Sequence, residues 1–326
     1  MPEVNKIRVG IVGGAGYTAG ELIRILLYHP ATELKYIQSS SNNGQPVSTI
    51  HTDLLGDTDQ VFTDVDFDHT DVVFLCSGHG KSIDYLNNTI IPKRVKIIDL
   101  SHDYRLKREG NDFVYGLPEL NREQIRVAFK IANPGCFATA IQLALIPLAT
   151  AGLLIDEVHI HAITGSTGAG QASTKTSHFS WRDNNLSVYR AFEHQHLDEI
   201  CQSLGQAQPG FNKDVNFIPV RGNHTRGILA TAYTKFEGTI EEANTLYSKF
   251  YDTHPFVNMA PENPDMKQVV NTNKALIFLE KHGNKLIIIS CIDNLLKGAS
   301  GQAVQNMNLM FGLDERCGLN LKAIGF

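Results

Sequence analysis

No stretch of this chain is both long and apolar enough to cross a bilayer. The most apolar run, Ile141 to Ile155, carries Pro147 and Gly152 and falls short of the ~20 residues a spanning helix needs. The opening residues Met1-Pro-Glu-Val-Asn-Lys-Ile-Arg contain no apolar leader core and run straight into a strand-like segment, so the expected location is the cytoplasm. Positive charge is not in excess. With 29 Lys and Arg against 34 Asp and Glu, the net charge is −5, which speaks against a nucleic-acid binder. Cysteine is sparse and odd in number: Cys76, Cys136, Cys201, Cys291 and Cys317 form no C-x-x-C pair, so neither a zinc site nor a disulfide framework is expected. Internal repeats and low-complexity tracts are also missing.

What remains is globular in character. Hydrophobic residues make up 42% and charged residues 19% of 326 residues. That length suits two domains, because single cores stop growing near ~250–300 residues. The first third alternates short apolar runs with helical patterns. Strands are expected at Ile7 to Val12, Leu34 to Ser39, Val72 to Cys76 and Val95 to Leu100. A helix is expected at Gly20 to Leu27, where Leu22, Ile23, Leu26 and Leu27 share a face. Strand and helix in this alternation make an α/β domain with a parallel sheet.

Beyond about Asn133 the pattern changes. Strands are expected at Glu157 to Thr164, Asn216 to Pro219, Gly227 to Phe236, Ala275 to Glu280 and Lys285 to Cys291. The last two are joined by a turn at His282-Gly283-Asn284. The fold expected is therefore an N-terminal doubly wound, Rossmann-type dinucleotide-binding domain followed by an α+β catalytic and oligomerisation domain with a mixed or antiparallel sheet. The division expected is 1–134, completed by a C-terminal helical segment 298–326, and 135–297. The helix in that segment is read at Gly301 to Phe311.

Gly10-Ile-Val-Gly13-Gly14-Ala-Gly16-Tyr17-Thr18-Ala19 follows the first strand and opens the first helix. Glycines there let a pyrophosphate approach backbone N–H groups at a helix N-terminus. The spacing is Gly13-x-x-Gly16-x-x-Ala19 rather than the common G-x-G-x-x-G. The second strand ends Gln38-Ser39-Ser40-Ser41-Asn42. It offers no carboxylate to a ribose 2′-hydroxyl and three hydroxyls to a 2′-phosphate, which favours NADP; the alternative is an ordinary polar loop.

Asn133-Pro-Gly-Cys136-Phe137 is a turn that opens a helix whose apolar pattern is Phe137, Ile141, Leu145 and Leu148. Cys136 thus stands at a helix N-terminus, where a thiolate is stabilised and backbone N–H groups can hold an oxyanion. Cys76, Cys201 and Cys291 fit buried apolar positions instead. Tyr189-x-x-x-x-His194-Gln195-His196 supplies two histidines that would point the same way if the stretch were extended. Such a pair can bind a metal, but a third ligand at suitable spacing is missing, and no metal is expected. The alternative is two surface histidines ahead of a helix.

These segments, with Asp99-Leu-Ser101-His-Asp103-Tyr-Arg105, Tyr115-Gly-Leu-Pro-Glu119, Thr164-Gly-Ser-Thr-Gly168-Ala-Gly170, Arg226-Gly-Ile-Leu-Ala-Thr231 and Asp293-Asn-Leu-Leu-Lys-Gly298, run through the chain in the order of a known family. The sequence resembles the N-acetyl-γ-glutamyl-phosphate reductases of arginine biosynthesis. The resemblance implies NADPH-dependent reduction of an N-acylglutamyl γ-phosphate to the γ-semialdehyde, with Cys136 as nucleophile and His196 as acid/base, assisted by His194. It implies cofactor contacts from Gly13, Gly16, Tyr17, Thr18, Ser77, Gly168 and Asn294, the last toward the nicotinamide amide, beside Ser39, Ser40 and Ser41. It implies substrate contacts from Ser101, Arg105, Asn133 and Tyr189, and assembly as a homodimer or homotetramer. The chain departs from the family's usual residues at Thr167, Gln171, Asp198 and Thr225. The first two, in the glycine-rich loop, leave the reaction class alone and open the acyl group to acetyl or succinyl. An aspartate-semialdehyde dehydrogenase of the same chemistry and a non-catalytic dinucleotide sensor are the competing readings.

Overall fold

The computed structural model describes residues 6–325; the opening Met1–Asn5, read above for a leader, lies outside them, as does Phe326. Its elements in chain order begin with β1 (Ile7–Val12), α1 (Tyr17–Leu27), β2 (Thr32–Gln38), β3 (Val72–Leu75), α2 (Lys81–Asn88), β4 (Lys96–Asp99), β5 (Val114–Tyr115), α3 (Pro118–Val127) and β6 (Lys130–Ala132). There follow α4 (Cys136–Thr150), β7 (Val158–Thr164), α5 (Phe179–Arg182), β8 (Ser187–Val188), α6 (His196–Ala207), β9 (Val215–Arg221), β10 (Ile228–Lys235), α7 (Ile240–Tyr251), β11 (Val257–Met259), β12 (Ala275–His282), β13 (Lys285–Ile292) and α8 (Ser300–Met310). The chain divides into two units, one up to Pro134 with Ala299–Asn320 and one of Gly135–Gly298 with the tail from Leu321. The sequence reading assigns the whole of 298–326 to the first. Among the described residues no helix is long and apolar enough to cross a membrane.

The first unit holds the expected parallel sheet, in the order β2-β1-β3-β4-β6-β5. The strands are short and apolar, with Val72–Leu75 buried at every position, as a sheet covered on both faces requires. Strand order reverses between β1 and β3, and in open α/β sheets ligands bind outside the carboxyl ends of the strands at such a reversal. Helix α1 starts at Tyr17, three residues before the start expected at Gly20. Gly16, with extended φ/ψ, is its N-cap, so its first turn is polar and leaves no periodic trace. Helix α8 packs on α1 and α3 and is fixed by amides: Asn308 Oδ1 meets His29 Nε2 at 3.0 Å, and the Ser300 hydroxyl donates to Thr18 O at 2.8 Å.

The second unit carries a seven-stranded mixed sheet, β11-β12-β13-β10-β7-β9-β8. Pairs β12–β13, β10–β13, β10–β7 and β8–β9 are antiparallel, and β7–β9 and β11–β12 are parallel. Helix α4 lies against β10 and β13 and is flanked by α6 and α7, which explains why Phe137 to Ala149 are buried on every side. Pro147 lies inside this helix and has no N–H for Leu143 O. The Tyr251 hydroxyl of α7 donates to that carbonyl at 2.5 Å, and Tyr247 donates to Ala144 O at 2.6 Å. The helix that begins with Cys136 is thereby anchored at its far end.

Candidate active site

The site residues named from the sequence divide between the two units. Gly13, Gly16, Tyr17, Thr18, Ser39, Ser40, Ser41, Ser77, Ser101, Arg105 and Asn133 belong to the first, and Cys136, Gly168, Tyr189, His194, His196 and Asn294 to the second.

In the first unit, the turn after β1 is shaped for close approach. Gly13 has φ +81°, and a Cβ there would stand 2.6 Å from Ser77 N. Only glycine fits, and the β1 and β3 ends meet at the point where strand order reverses. A Cβ on Gly16 would meet nothing within 4 Å, and α1 has no side-chain cap, so its first N–H groups face an open approach suited to a pyrophosphate. At the end of β2, Ser40 and Ser41 are exposed, while Ser39 is buried and accepts from Asn42 Nδ2 at 2.9 Å. Gln38 donates to Asp64 Oδ1 at 3.0 Å, which sets a carboxylate beside this serine loop.

Ser101 and Asn133 are more engaged than the sequence suggests. The Ser101 hydroxyl donates to Asp99 Oδ2 at 2.7 Å and accepts from Asp103 N at 3.1 Å. Asn133 donates to Ala299 O at 3.0 Å and accepts from Asn306 Nδ2 at 3.1 Å. Both side chains are buried and brace the loop that holds Arg105. That guanidinium donates to Asn133 O at 2.9 Å and to Leu100 O at 3.2 Å, so its plane is fixed by backbone carbonyls.

In the second unit, Cys136 is the first residue of α4, after an extended N-cap at Gly135. The helix has no side-chain cap, so the positive end of its dipole bears on the sulfur. The Gly135 N–H donates to Glu199 Oε2 at 3.1 Å. Glu199 Oε1 stands 3.8 Å from His196 Nε2, too far for a hydrogen bond but close enough for charge to act. A Cβ on Gly135 would lie 2.4 Å from His196 Nε2, so this glycine admits the imidazole right beside the cysteine.

The histidine stretch is not extended. Gln195 is helical in φ/ψ and His196 begins α6, yet the two rings still meet edge to face at 4.6 Å. Both are buried, which excludes two surface histidines. The His196 N–H donates to His194 Nδ1 at 3.2 Å, which puts the ring proton of a neutral His194 on Nε2. Burial, then the charges of Arg190 and Arg221, push the His194 pKa down to about 4. His194 is therefore neutral at pH 7 and braces the start of α6. Tyr189 packs on His194 at 5.7 Å, and burial raises its phenol to about 12, with the nearby Cys136 charge adding to the rise. Asn294 accepts from Gly227 N at 2.7 Å and donates to Thr167 Oγ1 at 3.0 Å, tying down the loop that bears Gly168. Among the described residues no group of three or more His, Cys, Asp or Glu gathers to hold a metal.

Three residues at this site carry roles the sequence reading did not give them. Glu199 lies one helical turn after His196, and that spacing is the signal the sequence offers. Arg182 and Arg221 left no signal.

Comparison with known proteins gives the family and the fold. Residues 8–128 match a family model described as semialdehyde dehydrogenase, NAD binding domain, and residues 136–294 one described as semialdehyde dehydrogenase, dimerisation domain. The chain is 59% identical over 317 residues to an N-acetyl-gamma-glutamyl-phosphate reductase of Christiangramia forsetii, covering 97% of this chain and 99% of that one. It is 56% identical to another so named in Parabacteroides distasonis, covering 98% and 100%. Among solved structures it resembles aspartate semialdehyde dehydrogenase II of Vibrio cholerae complexed with ASA, with TM-score 0.72, 15% identity and coverage of 94% and 98%. It also resembles aspartate semialdehyde dehydrogenase with NADP of Candida albicans, with TM-score 0.70, 16% identity and the same coverage. At such identity these structures show a shared fold and nothing finer.

Proposed function

The chain belongs to the N-acetyl-gamma-glutamyl-phosphate reductase family, and from that premise we propose that it reduces an N-acylglutamyl γ-phosphate to the γ-semialdehyde with release of phosphate, through a thioester on Cys136. It is an oxidoreductase that uses a nicotinamide dinucleotide. The observation that carries the mechanism is the arrangement of Cys136 at the uncapped start of α4, with His196 and Glu199 packed against Gly135. The competing reading as an aspartate-semialdehyde dehydrogenase draws on 15% identity against 59%, and nothing at the site favours it.

The residues divide the work as follows. His196 takes the Cys136 proton, and the Glu199 carboxylate stabilises the resulting imidazolium. The thiolate attacks the acyl carbon, the C–O bond to phosphate breaks, and phosphate leaves with the electron pair, giving a thioester. When bound, the reduced cofactor supplies the hydride that converts this thioester to a thiohemiacetal oxyanion. First-turn N–H groups of α4 stabilise that oxyanion. The C–S bond then breaks, releasing the aldehyde and regenerating the thiolate. His194, neutral and hydrogen-bonded to His196 N, orients α6 and takes no proton in this scheme.

The cofactor assigned is NADP. Ser39, Ser40 and Ser41 bring hydroxyls and no carboxylate of their own to the end of β2. Asp64 beside Gln38 works against a 2′-phosphate, so Asp64→Asn should strengthen NADPH binding. We assign the protein to the cytoplasm as a homodimer or homotetramer. The match of 136–294 to a dimerisation domain supports the assembly, as do Val188, exposed on the edge strand β8, and Phe192, exposed just beyond it. The deciding assay is phosphate-dependent NADP reduction with N-acylglutamate γ-semialdehyde and with aspartate semialdehyde. Turnover of the first is expected; turnover of the second alone, or of neither, would overturn the reading.

A further inference from the structure

Two arginines near His194 and His196 have no acidic partner among the described residues. Other arginines take a carboxylate: Arg226 pairs with Asp293 at 2.9 Å, Arg122 with Glu315 at 3.0 Å and Arg8 with Asp71 at 2.7 Å. Arg182 and Arg221 pair with no carboxylate among the described residues, and the Nε of each is sealed from solvent without a hydrogen-bond partner. Arg182 is only 7% exposed and is held by backbone carbonyls, donating to Arg221 O at 3.0 Å and to Thr176 O at 2.7 Å. Arg221 ends β9 and lies over the Tyr189 ring at 4.7 Å. The chain of contacts continues from Tyr189 to His194 at 5.7 Å and from His194 to His196 at 4.6 Å. Burial, then the neighbouring Arg221 charge, lowers the Arg182 pKa. Burying like charges together without a counter-ion is unfavourable, so the arrangement calls for an anion.

We propose that Arg221, backed by Arg182, is a carboxylate-binding subsite beside the catalytic histidines, and that it reads a carboxylate of the N-acylglutamyl substrate. This rests on the reaction proposed above. A planar guanidinium placed over an aromatic ring can bind a carboxylate with paired donors. The carboxylate has two sources in this substrate class: the α-carboxylate of the glutamyl unit, or the terminal carboxylate of a dicarboxylic acyl group. The second source would make Arg221 the residue that separates a succinylated substrate from an acetylated one.

The test is calorimetric binding to the full chain, with wild type, Arg221→Ala and Arg221→Lys, using the γ-amides N-acetylglutamine and N-succinylglutamine, which carry no γ-carboxylate, and inorganic phosphate as separate probes. Near-ultraviolet circular dichroism verifies that each variant is folded. Arg221→Ala should weaken N-acylglutamine binding roughly 10- to 100-fold, and Arg221→Lys should restore part of it. Equal loss for both compounds assigns the α-carboxylate, and loss confined to the succinyl compound assigns the acyl carboxylate. Either result supports the subsite. Unchanged affinity for both, no binding of either to wild type, or a loss seen only with phosphate overturns it. Turnover is measured separately, so a protein that binds these acids through Arg221 but reduces no acyl phosphate would sink the reaction and leave the subsite standing.

Discussion

The Gly135 amide donates to Glu199 Oε2 at 3.1 Å across 64 positions of sequence. One carboxylate thus grips the turn before the cysteine while its other oxygen faces His196 at 3.8 Å. Glu199 is 1% exposed, so its charge acts in a poorly screened setting. The same group holds the turn and favours the imidazolium.

Glu199→Gln keeps the size of the side chain and removes the charge. We expect kcat to fall about 10- to 100-fold, the value of one charge-assisted interaction, while KM changes little. Steady-state kinetics checks this. A change confined to KM would mean that Glu199 does no more than shape the pocket.

Cys136→Ser should abolish turnover while NADPH binding, followed by fluorescence titration, is retained. A serine hydroxyl at a helix N-terminus is far from ionised at neutral pH, whereas a thiol there is close to it. Turnover near the wild-type rate would remove the thioester from the mechanism.

Cys136 was legible in the sequence because a Pro-Gly turn and the apolar pattern of its helix both lie within a few residues of it. The glycine turn at Gly13 was legible for the same reason. Glu199 was not, since its partner Gly135 is remote in sequence and meets it only once α4 and α6 pack. The spacing of the histidine pair does not decide its conformation, because a two-residue spacing on an extended segment and a turn into a helix can both bring rings together, and the second is what the structure has. Strands β5 and β8, two residues each, are too short to show any periodicity. The sequence does not show that the Ser101 hydroxyl turns back onto Asp99, two positions earlier, or that the remote Ala299 and Asn306 engage Asn133.

The two histidines should separate by both rate and pH. His196→Asn should lower kcat roughly 10²–10⁴-fold. His194→Asn should cost less in rate but should alter the dependence of stability on pH. The unfolded chain protonates His194 near its ordinary pKa of 6.5, and the folded chain only near 4. Between those values proton uptake favours the unfolded chain, so stability contributed by neutral His194 is present above pH 6.5 and is lost as pH falls toward 4. Thermal unfolding across this window should show a shallower acid slope in His194→Asn than in wild type. An unchanged slope would mean that His194 is not held neutral, and a larger rate loss in His194→Asn than in His196→Asn would reverse the two roles.

The anchor of the cysteine helix makes a prediction in which burial and hydrogen bonding point in opposite directions. Tyr247 and Tyr251 both reach from α7 to carbonyls of α4, and Tyr247 is the more buried of the two, at 0% against 4% exposed. Burial alone would make Tyr247→Phe the more damaging change. The carbonyls differ, however. Ala144 O has the N–H of Leu148 available one helical turn on, whereas Leu143 O faces Pro147, which has no N–H to give. Tyr251→Phe therefore strands a buried acceptor, at about 1–3 kcal/mol, while Tyr247→Phe removes a second hydrogen bond from a carbonyl that keeps its first, at about 0.5–1.5 kcal/mol. Urea unfolding of the two variants should rank Tyr251→Phe as the less stable. Because Cys136 begins the helix three turns from Pro147, kcat at low temperature should be close to wild type in both. The reverse order of stability would show that the break at Pro147 is satisfied by another donor.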